Sequence, residues 1–169
     1  MSTLFLSSSA FDAGGDIPPR YTCDGANISP PLSWGGMPPA TQSLALIIDD
    51  PDAPDPEAPI KTWVHWVVYN IPPRVSGFPE GVHGGDLPVG SVEGLNDWEE
   101  TVYGGPCPPI GKHRYAHKLY ALDVALKVAE GASKAQLEQA MRGHVLEHAE
   151  LIGLYARKDA VTRPARERR

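Results

Sequence analysis

The chain has 169 residues, a length typical of one domain, and contains 17 glycines and 18 prolines. Because both residues interrupt helices, this content excludes a helical bundle or coiled coil and predicts short strands joined by many turns. A formal net charge of -6 disfavours a nucleic-acid binder, which needs a basic surface. No apolar run is long enough to span a membrane. The sequence shows no basic amphipathic helix or anchor, so we expect no stable membrane attachment.

We predict one domain over residues 1–156 and a basic, solvated tail over residues 157–169, with six Lys or Arg and two acidic residues. The first residues have a short apolar core and no basic segment, so we expect no signal peptide and a cytoplasmic location. Cys23 and Cys107 are too few for a disulfide scaffold, and whether they are bridged stays open.

Three apolar segments predict the principal strands, over residues 44–48, 62–70 and 113–123. The first is continuously apolar, as in a strand that is buried on both faces. Side-chain alternation places His65 on the same face as Trp63 and Val67, and His113 on the same face as Tyr115. Two different strands therefore each bring an imidazole to a face that is otherwise apolar.

The C-terminal part predicts one helix near residues 134–148 and a last strand over residues 150–155. Ser133 can cap this helix, and Gln136 three residues later completes a capping box. Apolar residues that include Leu137 and Met141 recur at helical spacing, which indicates core packing.

Polar residues near the strand ends indicate a pocket. Asp50 and Asp52 come just after the first predicted strand, and His65 and His113 come from the other two. The Gly- and Pro-rich turn over residues 104–111 can bring backbone N–H groups close to an anion. Imidazole, hydroxyl and N–H groups together predict a phosphate-sized anion site. The same pattern also fits ordinary core and turn residues, so spacing alone leaves both interpretations open.

Two motifs resemble the phosphatidylethanolamine-binding protein family, and in detail its bacterial Raf-kinase-inhibitor-like branch. One is Asp-Pro-Asp-Ala-Pro at residues 50–54, followed by the apolar segment at residues 63–72. The second is the Gly-Gly-Pro-Cys-Pro-Pro-Ile-Gly-Lys-His-Arg-Tyr sequence at residues 104–115. Residues 21–34 and 94–98 provide supporting matches in the same order along the chain.

The resemblance implies a mainly β fold, an antiparallel β-sandwich with one or two peripheral α-helices. It also implies a small pocket for phosphate or phosphoryl headgroups. Carried over position by position, the pocket residues are Asp50, Asp52, His65, Gly105, Pro106, His113 and Tyr115. Arg114 is expected to face away from them and to support an ion pair with one of the aspartates.

The resemblance further implies a non-enzymatic binding protein without catalytic residues, cofactor or metal, whose ligand is a small phosphorylated or anionic molecule. We expect a homodimer, and a kinase or a protease is the kind of protein partner that the family implies. Two departures stand out. His117 replaces a bulky apolar residue and predicts a more polar face beyond Tyr115, and Glu99 and Glu100 occupy a loop where a glycine is commoner.

Three catalytic interpretations compete with binding. A metal-dependent hydrolase could use the side chains of Asp50, Asp52, His65, His113 and His117. His113 and His117 would however lie about 13 Å apart along a strand, too far for one ion. An aspartyl phosphotransferase at residues 50–52 is disfavoured by Pro51 and by the lack of an α/β repeat. A Cys107–His113 nucleophile pair lacks a helix N-terminus to lower the thiol pKa.

Overall fold

The computed structural model describes residues 3–157, which are mostly strands and loops. The strands are β1 (Phe5–Ser7), β2 (Leu32–Gly35), β3 (Ser43–Ala53), β4 (Lys61–Ile71), β5 (Gly77–Phe78), β6 (Val92–Glu93), β7 (His113–Leu122) and β8 (Val145–Tyr155). Within these residues the only α-helix is α1 (Lys134–Met141), and 3-10 turns cover Pro19–Tyr21 and Gly84–Asp86. No helix in the described range has the length and apolar character to cross a membrane. Apart from Arg157, the predicted basic tail lies outside the described residues.

The strands form two antiparallel sheets, as expected for a sandwich with one peripheral helix. The smaller sheet has the order β1-β2-β5 and the larger sheet the order β6-β4-β3-β7-β8. A core between the two sheets contains Trp34 and Phe78 from the smaller sheet and Leu46, Trp66 and Leu119 from the larger one. Burial of these side chains holds the two layers together.

β3 lies at the centre of the larger sheet and is buried on both faces, which confirms the prediction made from its continuous apolar run. Leu44 and Leu46 face the core between the sheets. Ala45 and Ile47 face a second cluster, which includes Leu137 of α1. β3 also continues to Ala53, so the aspartates at positions 49, 50 and 52 lie within the strand and not beyond it.

The predicted helix over residues 134–148 is wrong in its second half. α1 begins as expected, because Ser133 and Gln136 form the capping box, but it ends at Met141. Gly143, with φ +80°, turns the chain, and β8 starts at Val145 instead of residue 150. β8 pairs with β7 over the length of that strand. Backbone pairing with a long neighbouring strand outweighs the helical spacing of a few apolar side chains.

A β-bulge at His65 interrupts β4 where it pairs with β3. The ladder pairs on either side of the bulge are Ile48 with Trp66 and Asp49 with Val64. His65 is therefore an extra residue, and alternation breaks there. Trp66 faces the core between the sheets, whereas Val64 and Val67 face α1. The prediction that His65 and Val67 share a face is wrong for this reason.

A disulfide joins Cys23 to Cys107, 84 residues apart, and so answers a question that the sequence left open. It ties the segment after the first 3-10 turn to the turn over residues 104–111. Disulfides are typical of oxidising compartments. The cytoplasmic location therefore stays a prediction, and this bond does not favour it.

Candidate functional site

A cavity of about 350 Å³ lies where β3, β4 and β7 meet the turn over residues 104–111. Its lining consists of Asp50, Ala53, Pro54, Trp63, His65, Trp98, Cys107, Pro108, Pro109, His113 and Tyr115. Mostly apolar walls with a few polar groups are typical of a small-molecule site. The structure thus brings four of the predicted site residues, Asp50, His65, His113 and Tyr115, into one cavity.

Asp52, a fifth predicted site residue, is not part of the lining. Its carboxylate accepts hydrogen bonds from the Arg114 backbone N–H at 2.8 Å and from the guanidinium at 3.0 and 2.7 Å. The hydrogen bond from the Arg114 side chain lowers the pKa of Asp52. The expected ion pair between Arg114 and one of the aspartates is confirmed, and it occupies Asp52 fully.

Gly105 and Pro106, the remaining two predicted residues, also lie outside the lining. The Gly105 N–H donates to Oδ1 of Asn27 at 2.8 Å, and the Pro106 carbonyl accepts from the Cys23 N–H at 3.1 Å. The Gly105 N–H is therefore not available to an anion in the cavity. A Cβ at position 105 would lie 2.4 Å from the Tyr21 carbonyl oxygen, so glycine is needed for this close backbone packing.

His113 and Asp50 form a buried pair in the wall of the cavity. Nδ1 of His113 lies 2.6 Å from Oδ2 of Asp50, and Nε2 lies 2.9 Å from the Ile110 carbonyl and 3.1 Å from the Pro54 carbonyl. Burial alone lowers the pKa of His113, but the hydrogen bond and charge of Asp50 outweigh it and raise the pKa. With acceptors at both nitrogens, His113 is an imidazolium that donates at each of them.

His65 has the opposite protonation state. Its Nδ1 lies 2.7 Å from the Gly104 carbonyl, so Nδ1 carries the proton and Nε2 is left as an acceptor. Burial lowers the pKa of His65 and keeps the ring neutral. The ring packs edge-to-face against Trp98 and Tyr115, with centroids 5.1 and 5.2 Å away. Of the two ring nitrogens of His65, Nδ1 has a hydrogen-bond partner within the described range and Nε2 has none.

Two buried donors in the cavity wall lack well-formed hydrogen bonds. The Trp63 indole N–H has no hydrogen-bond partner among residues 3–157, and the Tyr115 hydroxyl makes no well-formed hydrogen bond there, although the Asp50 carboxylate lies beside it. Burial raises the pKa of Tyr115, so its hydroxyl keeps its proton. Buried polar groups are ordinarily hydrogen-bonded, and an unsatisfied one costs about 1–3 kcal/mol. These two donors favour a ligand that brings acceptor atoms.

The loop over residues 94–98 supplies a wall that the sequence reasoning did not assign to the site. Oδ1 of Asn96 accepts from the N–H groups of Trp98 at 2.9 Å and Glu100 at 3.0 Å, and Nδ2 donates to the Val102 carbonyl at 2.8 Å. These bonds fix the loop so that Trp98 packs against Trp63. The sequence signal for this wall is the place of the loop among the supporting family matches, together with its aromatic residue Trp98.

His117 lies in the core and not on a polar face. Its ring is 1% exposed, Nδ1 donates towards the carbonyls of Tyr115 and Leu151, and Phe11 packs against it. Burial lowers the pKa of His117 to about 4. A neutral imidazole therefore takes the place of an apolar side chain, and the predicted polar face does not form.

The structure gives the catalytic alternatives little support. Among the described residues no group of three or more His, Cys, Asp or Glu is placed to hold a metal ion. Cys107 is in a disulfide, so the Cys107–His113 nucleophile pair is wrong. Asp50 and Asp52 are held by His113 and Arg114, which leaves neither carboxylate free as a phosphotransferase nucleophile.

Comparisons with known proteins agree with the fold. Residues 7–156 match the family described as phosphatidylethanolamine-binding protein. A UPF0098 protein of Methanothermobacter thermautotrophicus is 57% identical over 153 residues, which cover 90% of this chain and 98% of that protein.

Two crystal structures are similar over nearly their whole length. A putative phosphatidylethanolamine-binding protein homologue from Chlamydia trachomatis is 44% identical with a TM-score of 0.84, covering 93% of this chain and 99% of that one. Escherichia coli YbcL, described as a member of the mammalian family, is 32% identical with a TM-score of 0.84, covering 92% and 99%. The sandwich and its sequence together show that this chain belongs to the phosphatidylethanolamine-binding protein family.

Proposed function

We propose that this protein is a non-enzymatic binding protein whose cavity holds a phosphate or phosphoryl group. The observation that carries the proposal is that two residues lining one cavity, Tyr115 and Trp63, each hold a buried donor, hydroxyl and indole N–H, that makes no well-formed hydrogen bond within the described residues. The oxygen atoms of a small oxyanion would satisfy both donors. Membership of a family described as binding proteins supports the same role.

The shape of the cavity favours a phosphorylated organic molecule over free phosphate. At about 350 Å³ the cavity lies within the usual size range of small-molecule sites, and its walls include Trp98, Pro108 and Pro109. Trp98 is 42% exposed, so an organic group attached to the phosphate can lie against its ring.

The titratable groups of the cavity already have hydrogen-bond partners within the protein, and this supports binding without catalysis. Both nitrogens of His113, both oxygens of Asp50 and Nδ1 of His65 already have partners within the protein. A general base or nucleophile needs a free group of suitable pKa beside the reacting atom. Nε2 of His65 alone does not provide both a general base and a nucleophile.

Calorimetric titration with O-phosphoethanolamine tests the proposal. We expect saturable binding, and Tyr115→Phe should weaken it about tenfold because the complex loses one hydrogen bond to a charged acceptor. Tyr120→Phe is the matched control, since Tyr120 lies on the same strand and packs in the cluster on the other face. His65→Ala and His113→Ala should also weaken binding. Equal affinity in wild type and all three cavity variants would refute the proposal.

We extend the proposal to a protein partner, a kinase or a protease, whose phosphorylated side chain would enter the same cavity. The exposed ring of Trp98 at the cavity supports contact with residues beside such a side chain. A phosphoserine peptide should then shift the NMR signals of the cavity residues, whereas the unphosphorylated peptide should not. The homodimer also stays a prediction, which sedimentation measures directly.

A further inference from the structure

His113 offers no free hydrogen-bond donor to a ligand. Its Nδ1 proton lies towards Asp50 and its Nε2 proton towards the carbonyls of Ile110 and Pro54. Moving either proton to a ligand would leave a buried acceptor without its donor. The imidazolium therefore acts on a ligand through its charge, and that charge is offset by Asp50.

The other charged groups near the cavity are also compensated. Arg114 is paired with Asp52 at 2.7 Å, and Lys61, over the Trp63 ring, lies 3.5 Å from Asp97. Among the described residues that line the cavity, no cation is left without a carboxylate partner. A ligand with two negative charges would enter a site of about zero net charge, where charge is poorly solvated.

His65 adds a lone pair to this site. Because its Nδ1 proton is held by the Gly104 carbonyl, the nitrogen left over, Nε2, is an acceptor. A fully deprotonated oxyanion would place its own lone pairs against this one and be repelled. The titratable or charged groups around His65 are Asp49 and Asp50 of β3, Asp97 of the 94–98 loop, and His113, Tyr115 and His117 of β7.

We propose that the cavity binds its oxyanion together with one proton, which lies between Nε2 of His65 and a ligand oxygen. This inference rests on the proposed function and names the ligand class more closely: a weak-acid oxyanion such as a phosphate monoester. A monoester has its second pKa at about 6, so above that pH the dianion takes one proton from solvent as it binds. Tyr115 and Trp63 donate to the other oxygens of the bound monoanion.

The proposal has a quantitative consequence. If one proton is taken up per complex, affinity falls about tenfold for each pH unit above the pKa values of the free ligand and of His65. An oxyanion site that takes up no proton would show no such slope. Proton uptake on binding can therefore be tested separately from the question of whether the cavity binds phosphate.

Phenyl phosphate is a suitable probe, titrated calorimetrically between about pH 7 and 9 in two buffers of different ionisation enthalpy. Wild type should take up close to one proton per complex and lose about tenfold in affinity per pH unit. His65→Gln should remove most of this slope, because an amide can donate its N–H without titrating. His83→Gln, at an exposed histidine that does not line the cavity, should behave like wild type.

The outcomes separate the two proposals. Saturable binding by wild type with no proton uptake would overturn this inference and leave the proposed function standing. Absence of binding at every pH would overturn both. Nitrogen-15 spectra of wild type give a test that does not depend on a variant: His65 should carry its proton on Nδ1 without ligand, and Nε2 should gain proton character with phenyl phosphate. An Nε2 that is protonated before ligand is added would overturn the inference.

Discussion

At the residue scale, burial alone does not decide the charge of a histidine in this protein. His65, His113 and His117 are all at most 3% exposed. His113 is cationic because Asp50 and two carbonyls accept from both of its nitrogens. His65 and His117 are neutral because burial lowers the pKa of each ring and no carboxylate bonds to the ring to reverse that effect. At similar depth, burial therefore keeps a histidine neutral unless a carboxylate partner outweighs it.

The buried neutral state of His117 makes stability sensitive to acid. Its pKa of about 4 lies below the usual 6.5, so the unfolded chain binds more protons between these values. The stability from burying the neutral ring is present above about pH 6.5 and is lost as pH falls towards 4, on the order of 3 kcal/mol in all. His117→Leu should remove that loss.

Urea unfolding at neutral pH and near pH 4.5 measures this effect. The difference in unfolding free energy between the two pH values should shrink in His117→Leu relative to wild type. His148→Leu, at an exposed histidine of β8, is the control and should leave the difference unchanged. An identical pH dependence in His117→Leu and wild type would show that the ring is not the acid-sensitive group.

At the scale of elements, a bulge and a loop shape the cavity. The bulge at His65 brings this side chain to the cavity while its neighbour Trp66 stays in the core between the sheets. The loop over residues 94–98 then places Trp98 against both Trp63 and His65. Asn96 closes this loop with three side-chain hydrogen bonds. Local irregularities, not regular strands, therefore orient the ligand-facing groups.

Glu99 shows the cost of this loop conformation. Its φ of +61° is a left-handed value that glycine adopts freely and other residues adopt at a cost. The sequence departed from the commoner glycine in this loop, and the backbone nevertheless keeps a glycine-like turn. Glu99→Gly should raise the unfolding free energy by about 0.5–1 kcal/mol.

Glu100→Gly is the matched control, because Glu100 is the adjacent residue and does not have a positive φ. It should be neutral or destabilising, since glycine there only adds freedom to the unfolded chain. Thermal and urea unfolding of both variants compare the two positions. A loss of stability in Glu99→Gly equal to that in Glu100→Gly would contradict the assignment of strain to Glu99.

At the scale of the whole molecule, the cavity depends on chain segments that are distant in sequence. The Cys23–Cys107 bond, the Asn27–Gly105 hydrogen bond and the Tyr103–Tyr21 hydrogen bond tie the segment over residues 21–27 to the turn that carries Cys107. Cys107 itself lines the cavity. The disulfide therefore stabilises a cavity wall as well as the fold.

Removing the disulfide should destabilise the protein through the unfolded state. A crosslink that closes a loop of 84 residues restricts the unfolded chain, which corresponds to up to about 4 kcal/mol. The Cys23→Ser/Cys107→Ser double variant should lose stability of that order in urea unfolding. Wild type treated with a thiol reductant should fall to the same level, and equal stability of oxidised and reduced wild type would contradict this role.

The sequence by itself determined the sheet-rich class, the central strand buried on both faces, and the resemblance that assigned the family. These follow from glycine and proline content, apolar runs and contiguous motifs, which depend only on neighbouring residues. It also named Asp50, His65, His113 and Tyr115, because alternation and the family motif both place polar groups on apolar strands.

Only the tertiary structure decided the end of α1, the bulge at His65, the disulfide and the partners that occupy Asp52 and Gly105. Each of these depends on contacts between residues tens of positions apart, such as pairing of β8 with β7 or of Asn27 with Gly105. Spacing along the chain carries no information on which of several neighbours a donor or a strand edge will meet. For the same reason the proton state of each histidine became clear only when its acceptors were known.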